Sequence, residues 1–381
     1  MIKRQAGFTM VELLITMVIF VFTIAAASSI FVPMLTQFKQ QSKIAESNIE
    51  GIVGLESLRR DIEQAGFGLP WVIPASVTTA TYSEASSNTT GTIPAPDTYN
   101  DTSPNTLGPP KAIVSGNDIA GLGGSDYLVI KATSVAVNDA AMRWTYVVAP
   151  AGGGAVPVNT WEVSGEDLIA NYRAIALIPS RGENNQRILV TSETDNTKYS
   201  ITFANPFPPA YSPAIQNDLY LVYGVDPGTD LRMPFNRADY YISTTTIPPK
   251  CATGTGILMK SVINHVNGNR GTGMPLLDCV ANMQVIYRLD TDGNGDIDSE
   301  TDVLNAFTAQ QIREQVREVR VYILAHEGQR DVNYTYPTNP VMVGEFGLGH
   351  DFNFNDHGIT NWQNYRWKVY RIVVKPNNLR R

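Results

Sequence analysis

The chain has 381 residues, with 36 acidic and 29 basic side chains and a formal net charge of −7. A chain of this length can bury a sizeable core and form more than one lobe. No run of basic residues, Arg380–Arg381 at the end of the sequence included, is longer than two, so a direct nucleic-acid surface is not expected. No recognised catalytic motif occurs, and the sequence therefore does not predict an enzyme.

The first predicted element is a long apolar helix behind a short polar leader. Residues 1–7 (MIKRQAG) carry two basic side chains, and residues 8–38 contain one charged side chain, Glu12. A membrane-spanning helix needs about 20 apolar residues, and a carboxylate inside it is costly without a partner. A secretory signal would be cut after its apolar core, but the one Ala-x-Ala stretch, 25–27, is still followed by apolar residues.

The Gly7–Phe8 junction, followed by Glu12, resembles the leader of type IV prepilins and pseudopilins. In that family the cut falls between Gly and Phe on the cytoplasmic side, and the fifth mature residue is Glu. The resemblance implies cleavage between Gly7 and Phe8 by a prepilin peptidase, and N-methylation of Phe8. It also implies an assembly role for Glu12, whose carboxylate would pair with the Phe8 amine of a neighbouring subunit. The alternative is an uncleaved anchor in which Glu12 reaches the membrane edge.

The helical pattern continues beyond the apolar run. Residues 39–64 place apolar side chains mostly three and four positions apart, which indicates an amphipathic helix, and glycines and a proline end it. We expect one helix from about residue 9 to residue 65, with Leu13–Leu35 in the inner membrane and a kink at Pro33. The predicted units are a leader (1–7), a transmembrane and spine helix (8–66), and a head (67–381) with a variable surface loop at 71–111.

Short segments of strand character, bounded by turn residues, follow that loop. The predicted strands are 126–134, 141–148, 187–191, 199–203, 219–225, 239–245, 256–263, 280–289, 316–325 and 366–374. One helical pattern runs from Glu300 to about Glu318. The predicted fold class is α+β, type IV pilin-like, with the long helix packed on a large antiparallel β-rich head.

Three segments resemble the PilW family of minor type IV pilins: 58–68, 125–132 and 275–280. The resemblance is strong over the first 68 residues and thin over the rest. It implies a non-enzymatic minor pilin of a priming or tip complex, first in the inner membrane with a periplasmic head, later in the pilus or at the cell surface. The implied partners are other minor and major pilins, the prepilin peptidase, the inner-membrane assembly platform and a pilus-tip adhesin.

Other functions share parts of this pattern. A J-type pseudopilin of type II secretion has the same leader and long-helix design, and a subunit of a DNA-uptake pilus would use the same machinery. A membrane-anchored periplasmic enzyme or binding protein would share the anchor alone. The length of the chain and its cysteine pair favour PilW.

Cys251 and Cys279 are the only cysteines. In an oxidising periplasm we expect them to form a disulfide, which would enclose a loop of about 28 residues and contribute about 3 kcal/mol. The alternative is a pair of free buried thiols. A catalytic thiol is not expected, because no histidine is placed near either cysteine in a recognised signature.

The acidic segment 290–298 (DTDGNGDID) is the sharpest local motif. Its oxygen ligands alternate as in the first nine residues of EF-hand and dockerin loops, a pattern that Ca²⁺ requires. Thr301 stands at position twelve, where those loops carry a bidentate Glu, so any Ca²⁺ binding should be weak. The alternative is an acidic turn without metal, and Mg²⁺ fits less well. The candidate metal ligands are Asp290, Asp292, Asn294, Asp296 and Asp298.

Overall fold

The computed structural model describes residues 7, 9–88, 91, 93–101, 108–179 and 186–379. Its first element, α1, is one helix from Met10 to Glu63, close to the expected span, and it continues without a break through position 33. Gly66 and Gly68, both at positive φ, turn the chain away from the helix axis, and the Gly66 N–H donates to the carbonyl of Lys131. The end of the helix is thereby joined to the head.

The head contains fifteen strands within the described ranges, and a second short helix, α2 (Ala309–Gln315). In chain order the strands are β1 (Ile113–Ile119), β2 (Ser125–Ala132), β3 (Trp144–Val148), β4 (Arg173–Ile178), β5 (Ile188–Leu189), β6 (Ile201–Thr202), β7 (Leu219–Asp226), β8 (Asn236–Ser243), β9 (Gly256–Val262), β10 (Met274–Leu289), β11 (Ser299–Thr301), β12 (Val316–Glu327), β13 (Val341–Glu345), β14 (Leu348–Phe352) and β15 (Arg366–Val374).

These strands form three antiparallel sheets. The main sheet has eight strands, in the order β1-β2-β8-β9-β10-β12-β15, with β11 paired to β10. A second sheet of five strands follows the order β3-β7-β4-β5, with β6 paired to β4, and β13 and β14 form a separate hairpin. With the long helix, this architecture confirms the predicted α+β, pilin-like class.

The last turns of α1 pack directly on the main sheet. Leu55, Leu58 and Ile62 are buried in the largest apolar core. Gly54 lies so close to β10 that a Cβ on it would be 1.8 Å from the carbonyl oxygen of Leu276, and a Cβ on Gly51 would be 2.8 Å from Leu277 Cδ1. The helix backbone itself therefore contacts the sheet at this point.

Two expectations about the head are wrong in part. The helix expected over 300–318 is confined to Ala309–Gln315, because Thr308 and Gln311 form a capping box at its start and a β-branched run begins β12 at Val316. The segment 71–111 was expected on the surface, but Tyr82, Glu84 and Tyr99 within it are buried. The sequence of this segment has no periodicity, and it therefore gave no indication that some of its side chains are part of the core.

Candidate functional sites

The start of α1 is held by a reciprocal capping box. The Thr9 hydroxyl oxygen accepts the N–H of Glu12 at 3.3 Å, and the Glu12 carboxylate accepts the Thr9 N–H and hydroxyl, each at 2.9 Å. Such a box satisfies donors that the first helical turn leaves unpaired. Among the described residues, Glu12 thus has a hydrogen-bond partner at the start of its own helix, and that partner is uncharged.

Gly7 is exposed, with no atom within 4 Å of the position that a Cβ would take. Phe8 and the basic residues of the leader lie outside the described residues. Cleavage between Gly7 and Phe8, methylation of Phe8 and the assembly role of Glu12 therefore stay predictions.

The apolar part of α1 projects away from the head. Met10–Phe31 is the one helical stretch in the described ranges long and apolar enough to cross a membrane, and none of it is buried. Its aromatic side chains Phe20, Phe22 and Phe31 are 60–71% exposed. Exposed apolar surface of this extent needs lipid or other helices to cover it.

A buried ion pair joins α1 to the head, and sequence reasoning did not find it. The Asp61 carboxylate, on the last turns of α1, accepts hydrogen bonds from the Lys260 ammonium on β9 and the Tyr240 hydroxyl on β8. Burial raises the pKa of Asp61 above its ordinary value, while the charge of Lys260 opposes that rise. The sequence contains the Arg60-Asp61 pair, but nothing local indicates its partners, which lie about 180 and 199 residues further along.

The two cysteines form a disulfide, as expected, with a Cα–Cα distance of 4.9 Å. The bond ties the segment before β9 to β10. His326 on β12 lies beside it, and its Nε2 accepts the N–H of Ala252 at 2.9 Å. Burial lowers the pKa of His326 to about 3, so its imidazole is neutral at physiological pH.

The acidic loop is folded around Asp290, whose side chain is buried. Its Oδ2 accepts from the Arg317 guanidinium at 2.6 Å and 2.9 Å, and its two oxygens also accept the N–H groups of Gly293 and Gly295. The hydrogen bonds from Arg317 lower the pKa of Asp290. One carboxylate of the predicted calcium set is thus already neutralised by a cation of the chain itself.

Asp292 and Asp298 converge on Asp290, whereas Asp296 is not in this group. Ligand oxygens of Asp290, Asp292 and Asp298 all lie within 4.8 Å of one another. The Asp298 carboxylate accepts from the N–H and hydroxyl of Thr291, and the Asn294 side-chain oxygen accepts the N–H of Asp296 at 2.7 Å. The donor set is hard and anionic, as Ca²⁺ prefers, and Ca²⁺ binding stays a prediction.

Two histidines, His350 on β14 and His357 after it, lie close to each other. His350 lies 3.4 Å from an Asp118 oxygen, and the rings of His350 and His357 are 6.0 Å apart. His357 is stacked on the buried Phe352, and burial together with His350 lowers the pKa of His357. Neither histidine is in the groups of close His, Cys and carboxylate atoms within the described part of the chain.

A second charge network, also missed from the sequence, fixes the segment 84–101. The Lys131 ammonium lies 2.7 Å from both Glu84 and Asp101, and Arg237 pairs with Asp239 at 2.7 Å. All except Asp101 are fully buried. Buried charges are tolerated when each is paired and hydrogen-bonded, so this network holds Glu84 and Asp101 on the main sheet although the sequence around them is irregular.

An exposed apolar N-terminal helix on an antiparallel β-rich head defines the pilin-like class of proteins. Comparison with protein families agrees: residues 2–28 match the prokaryotic N-terminal methylation motif, and residues 239–378 match the type IV pilus-assembly protein W family. The two matches support a PilW-like, prepilin-type protein. The PilW match lies in the C-terminal part, where the sequence resemblance was thin. No curated protein and no solved structure matches the chain.

These matches and the apolar helix support a membrane-anchored, single-pass protein of type IV pilus assembly. Membership of such an assembly implies interaction with other pilus components. It also suggests a structural rather than an enzymatic role.

Proposed function

We propose that the chain is a non-enzymatic minor pilin that enters the priming or tip complex of a type IV pilus. It would be cut between Gly7 and Phe8, methylated on Phe8 and held in the inner membrane by Leu13–Leu35, with its head in the periplasm, before extraction into the fibre. The observation that carries the proposal is Glu12, the single carboxylate of the apolar, exposed stretch Met10–Phe31 of α1, which carries the prepilin motif.

The capping box provides hydrogen bonds to the Glu12 carboxylate before any other subunit is present. Within the described residues its Oε2 accepts hydrogen bonds from two uncharged donors of Thr9, which do not neutralise its negative charge. These bonds already have an ionised acceptor, but an ammonium donor would add the attraction between opposite charges. The methylated amine of a neighbouring Phe8 would therefore be preferred to the box once helices stack in the fibre.

The size of the head favours a low-copy position. Its eight-stranded main sheet, its five-stranded second sheet and its separate hairpin give the head a bulk that would crowd a tightly packed helical shaft. At the tip of a fibre, the same bulk has neighbours on one side only.

The test compares processing and assembly in living cells. Mass spectrometry should find N-methylated Phe8 as the mature N-terminus, and Gly7→Arg should leave the full-length chain in the inner membrane. Glu12→Ala should still be cut and inserted, because an apolar residue suits lipid better than a charge, yet should no longer copurify with partner pilins.

Glu56→Ala is the matched control, since it removes a carboxylate that is exposed and paired with Arg59 on the same helix. It should copurify as wild type does. Normal copurification of Glu12→Ala would overturn the assembly role. Wild-type copurification with type II secretion pseudopilins, or with a DNA-uptake pilus, would move the chain to that machine.

For the acidic loop we propose weak Ca²⁺ binding. The support is the convergence of three carboxylates within 4.8 Å. Ca²⁺ would have to share Asp290 with Arg317, and position twelve supplies no bidentate Glu, so we expect an affinity at the weak, extracellular end of the range, around 10⁻⁴–10⁻³ M.

A further inference from the structure

The edge strand of the second sheet borders an open pocket that the assembly role does not use. The pocket has a volume of about 380 Å³ and is lined by Met142, Arg143, Trp144, Trp161, Gly165 and Glu166. Ligand pockets range over roughly 300–1,000 Å³, so this one is small. It has room for a single ring rather than for an extended chain.

Two tryptophans form its apolar wall. The ring centroids of Trp144 and Trp161 are 4.8 Å apart at an interplanar angle of 57°, and both side chains are only partly buried. The Trp161 indole N–H donates to the Trp144 carbonyl at 2.7 Å, and Tyr146 meets Trp161 edge-on. The indole faces are therefore held in place before any ligand arrives.

Charged side chains of both signs stand beside this wall. Arg143 donates from Nε to the Asp139 carbonyl and from Nη1 to the Asp167 carbonyl, each at 2.6 Å, which fixes a guanidinium that has five donors in all. Glu166 is exposed on the lining. Arg60 of α1 reaches the Met142 sulfur at 3.3 Å, and the Asp167 carboxylate accepts the backbone N–H of Trp161 at 2.8 Å, so two cations and two carboxylates lie at or near the pocket.

This balance selects among the ligands that aromatic pockets bind. A quaternary ammonium suits an aromatic cage, but Arg143 lines this pocket and Arg60 lies near it, so a cationic ligand would be repelled by both. A purely apolar ligand would cover the Glu166 carboxylate without offering it a hydrogen-bond donor, which is costly. A ligand with an apolar face and hydroxyl groups around its edge meets both requirements.

We propose that this pocket binds a single pyranose ring of a glycan. The C–H face of the ring would lie on an indole of Trp144 or Trp161. Its hydroxyl groups would donate to the Glu166 carboxylate and accept from Arg143. The proposal uses none of the residues invoked for assembly and stands whether or not the chain enters a pilus.

The test uses the full chain in a polyoxyethylene detergent, because the headgroups of alkyl glycosides would compete for the pocket. The probes are the methyl glycosides of glucose, galactose, mannose and N-acetylglucosamine. Their binding is measured by saturation-transfer NMR and by tryptophan fluorescence. For ligands of this size we expect a Kd on the order of 1 mM for the preferred sugar.

Trp161→Ala should raise that Kd more than tenfold. Glu166→Gln, an exposed and nearly isosteric change, should raise it about tenfold, the usual loss for a hydrogen bond to a charged group. Trp71→Ala is the matched control, since Trp71 is also partly buried but is stacked between Arg187 and Arg313. It should leave the Kd unchanged.

If Trp161→Ala fails to fold, the Kd of Glu166→Gln alone tests whether the sugar binds in this pocket. No saturation transfer from any of the four glycosides would overturn the proposal, as would undiminished binding by Glu166→Gln. If choline bound more tightly than every glycoside, the proposed ligand would be an organic cation and the sugar proposal would be wrong.

Discussion

The two ends of α1 each carry a carboxylate, and the chain satisfies them differently. Glu12 is exposed, and among the described residues its carboxylate is hydrogen-bonded to Thr9, one turn away. Asp61 is buried and bonded to Lys260 and Tyr240 on two strands of the main sheet. At the end of the helix that packs on the head, the carboxylate of Asp61 is therefore paired with a cation of the same chain. At the apolar end, the carboxylate of Glu12 can still pair with a cation of another molecule.

The variant with the largest expected effect is Gly54→Val, which tests how firmly the second half of α1 is held on the head. A Cβ at this position would lie 1.8 Å from the Leu276 carbonyl oxygen, a backbone atom that cannot move aside, and overpacking usually costs about 1–3 kcal/mol or more. We expect Gly54→Val to lower the free energy of unfolding by more than about 3 kcal/mol, measured by urea unfolding of the full chain in detergent.

Gly228→Ala is its control, because no atom lies within 4 Å of the Cβ position there. It should unfold within about 0.5 kcal/mol of wild type. Equal stability of Gly54→Val and wild type would show that α1 does not need this close contact.

The second test removes the two carboxylates in turn. Asp61→Ala leaves the Lys260 ammonium buried without its counter-ion, and breaking a buried pair from one side costs about 3–5 kcal/mol. Glu12→Ala should leave the urea midpoint of the head unchanged. A loss of stability in Glu12→Ala equal to that in Asp61→Ala would remove the distinction between the two ends.

The third test is the pH dependence of the head. Burial raises the pKa of Asp126 to about 8, so between pH 6.5 and 8 the folded state binds a proton that the unfolded state has lost. Stability should fall as the pH rises through this window, by at most about 1.4 kcal/mol per pH unit for one group.

Two buried histidines act in the opposite direction at lower pH. Burial lowers the pKa of His265 to about 4 and that of His326 to about 3, so their stabilisation is complete above about pH 6.5 and is lost as the pH falls. Urea unfolding at several pH values should therefore show a maximum near pH 6.5. Asp126→Asn should flatten the profile above it, and an unchanged slope in that variant would exclude Asp126 as the cause.

The smallest expected effect is that of Ca²⁺. Millimolar Ca²⁺ should raise the melting temperature of the full chain by about 2–4 °C, because a ligand of the folded state alone stabilises it. Asp292→Ala with Asp298→Ala should abolish the shift while sparing Asp290, which Arg317 needs. Asp351→Ala, outside the loop, is the control, and the absence of a shift in wild type would leave the loop an acidic turn.

Local patterns predicted the parts of the fold that local physics determines. The helix α1 is periodic and ends at glycines, and β7 at Leu219–Asp226 falls within one residue of its prediction. The disulfide joins the two cysteines of the sequence, which is the pairing that an oxidising compartment would favour. The helix and the strand each depend on the residues of one segment. The disulfide depends on a pairing in which each cysteine has one possible partner.

Long-range pairing explains most of what the sequence did not predict. Glu84 meets Lys131 and Arg237, which are 47 and 153 residues further along, and no local signal connects them. The strand β4 (RAIALI) has no alternation, because both faces of its central residues are buried. The tryptophan pocket likewise brings together residues from β3 and from a loop about 17 residues away.

The attachment of α1 also determines how the molecule bears load. Tension on the helix passes to β10 through the contact at Gly54, to β9 through Lys260 and to β8 through Tyr240. These are adjacent strands, and the Cys251–Cys279 bond fastens the segment before β9 to β10. A pull on the anchor is thus shared among three hydrogen-bonded strands, so that no single strand has to be peeled from the sheet before the others resist.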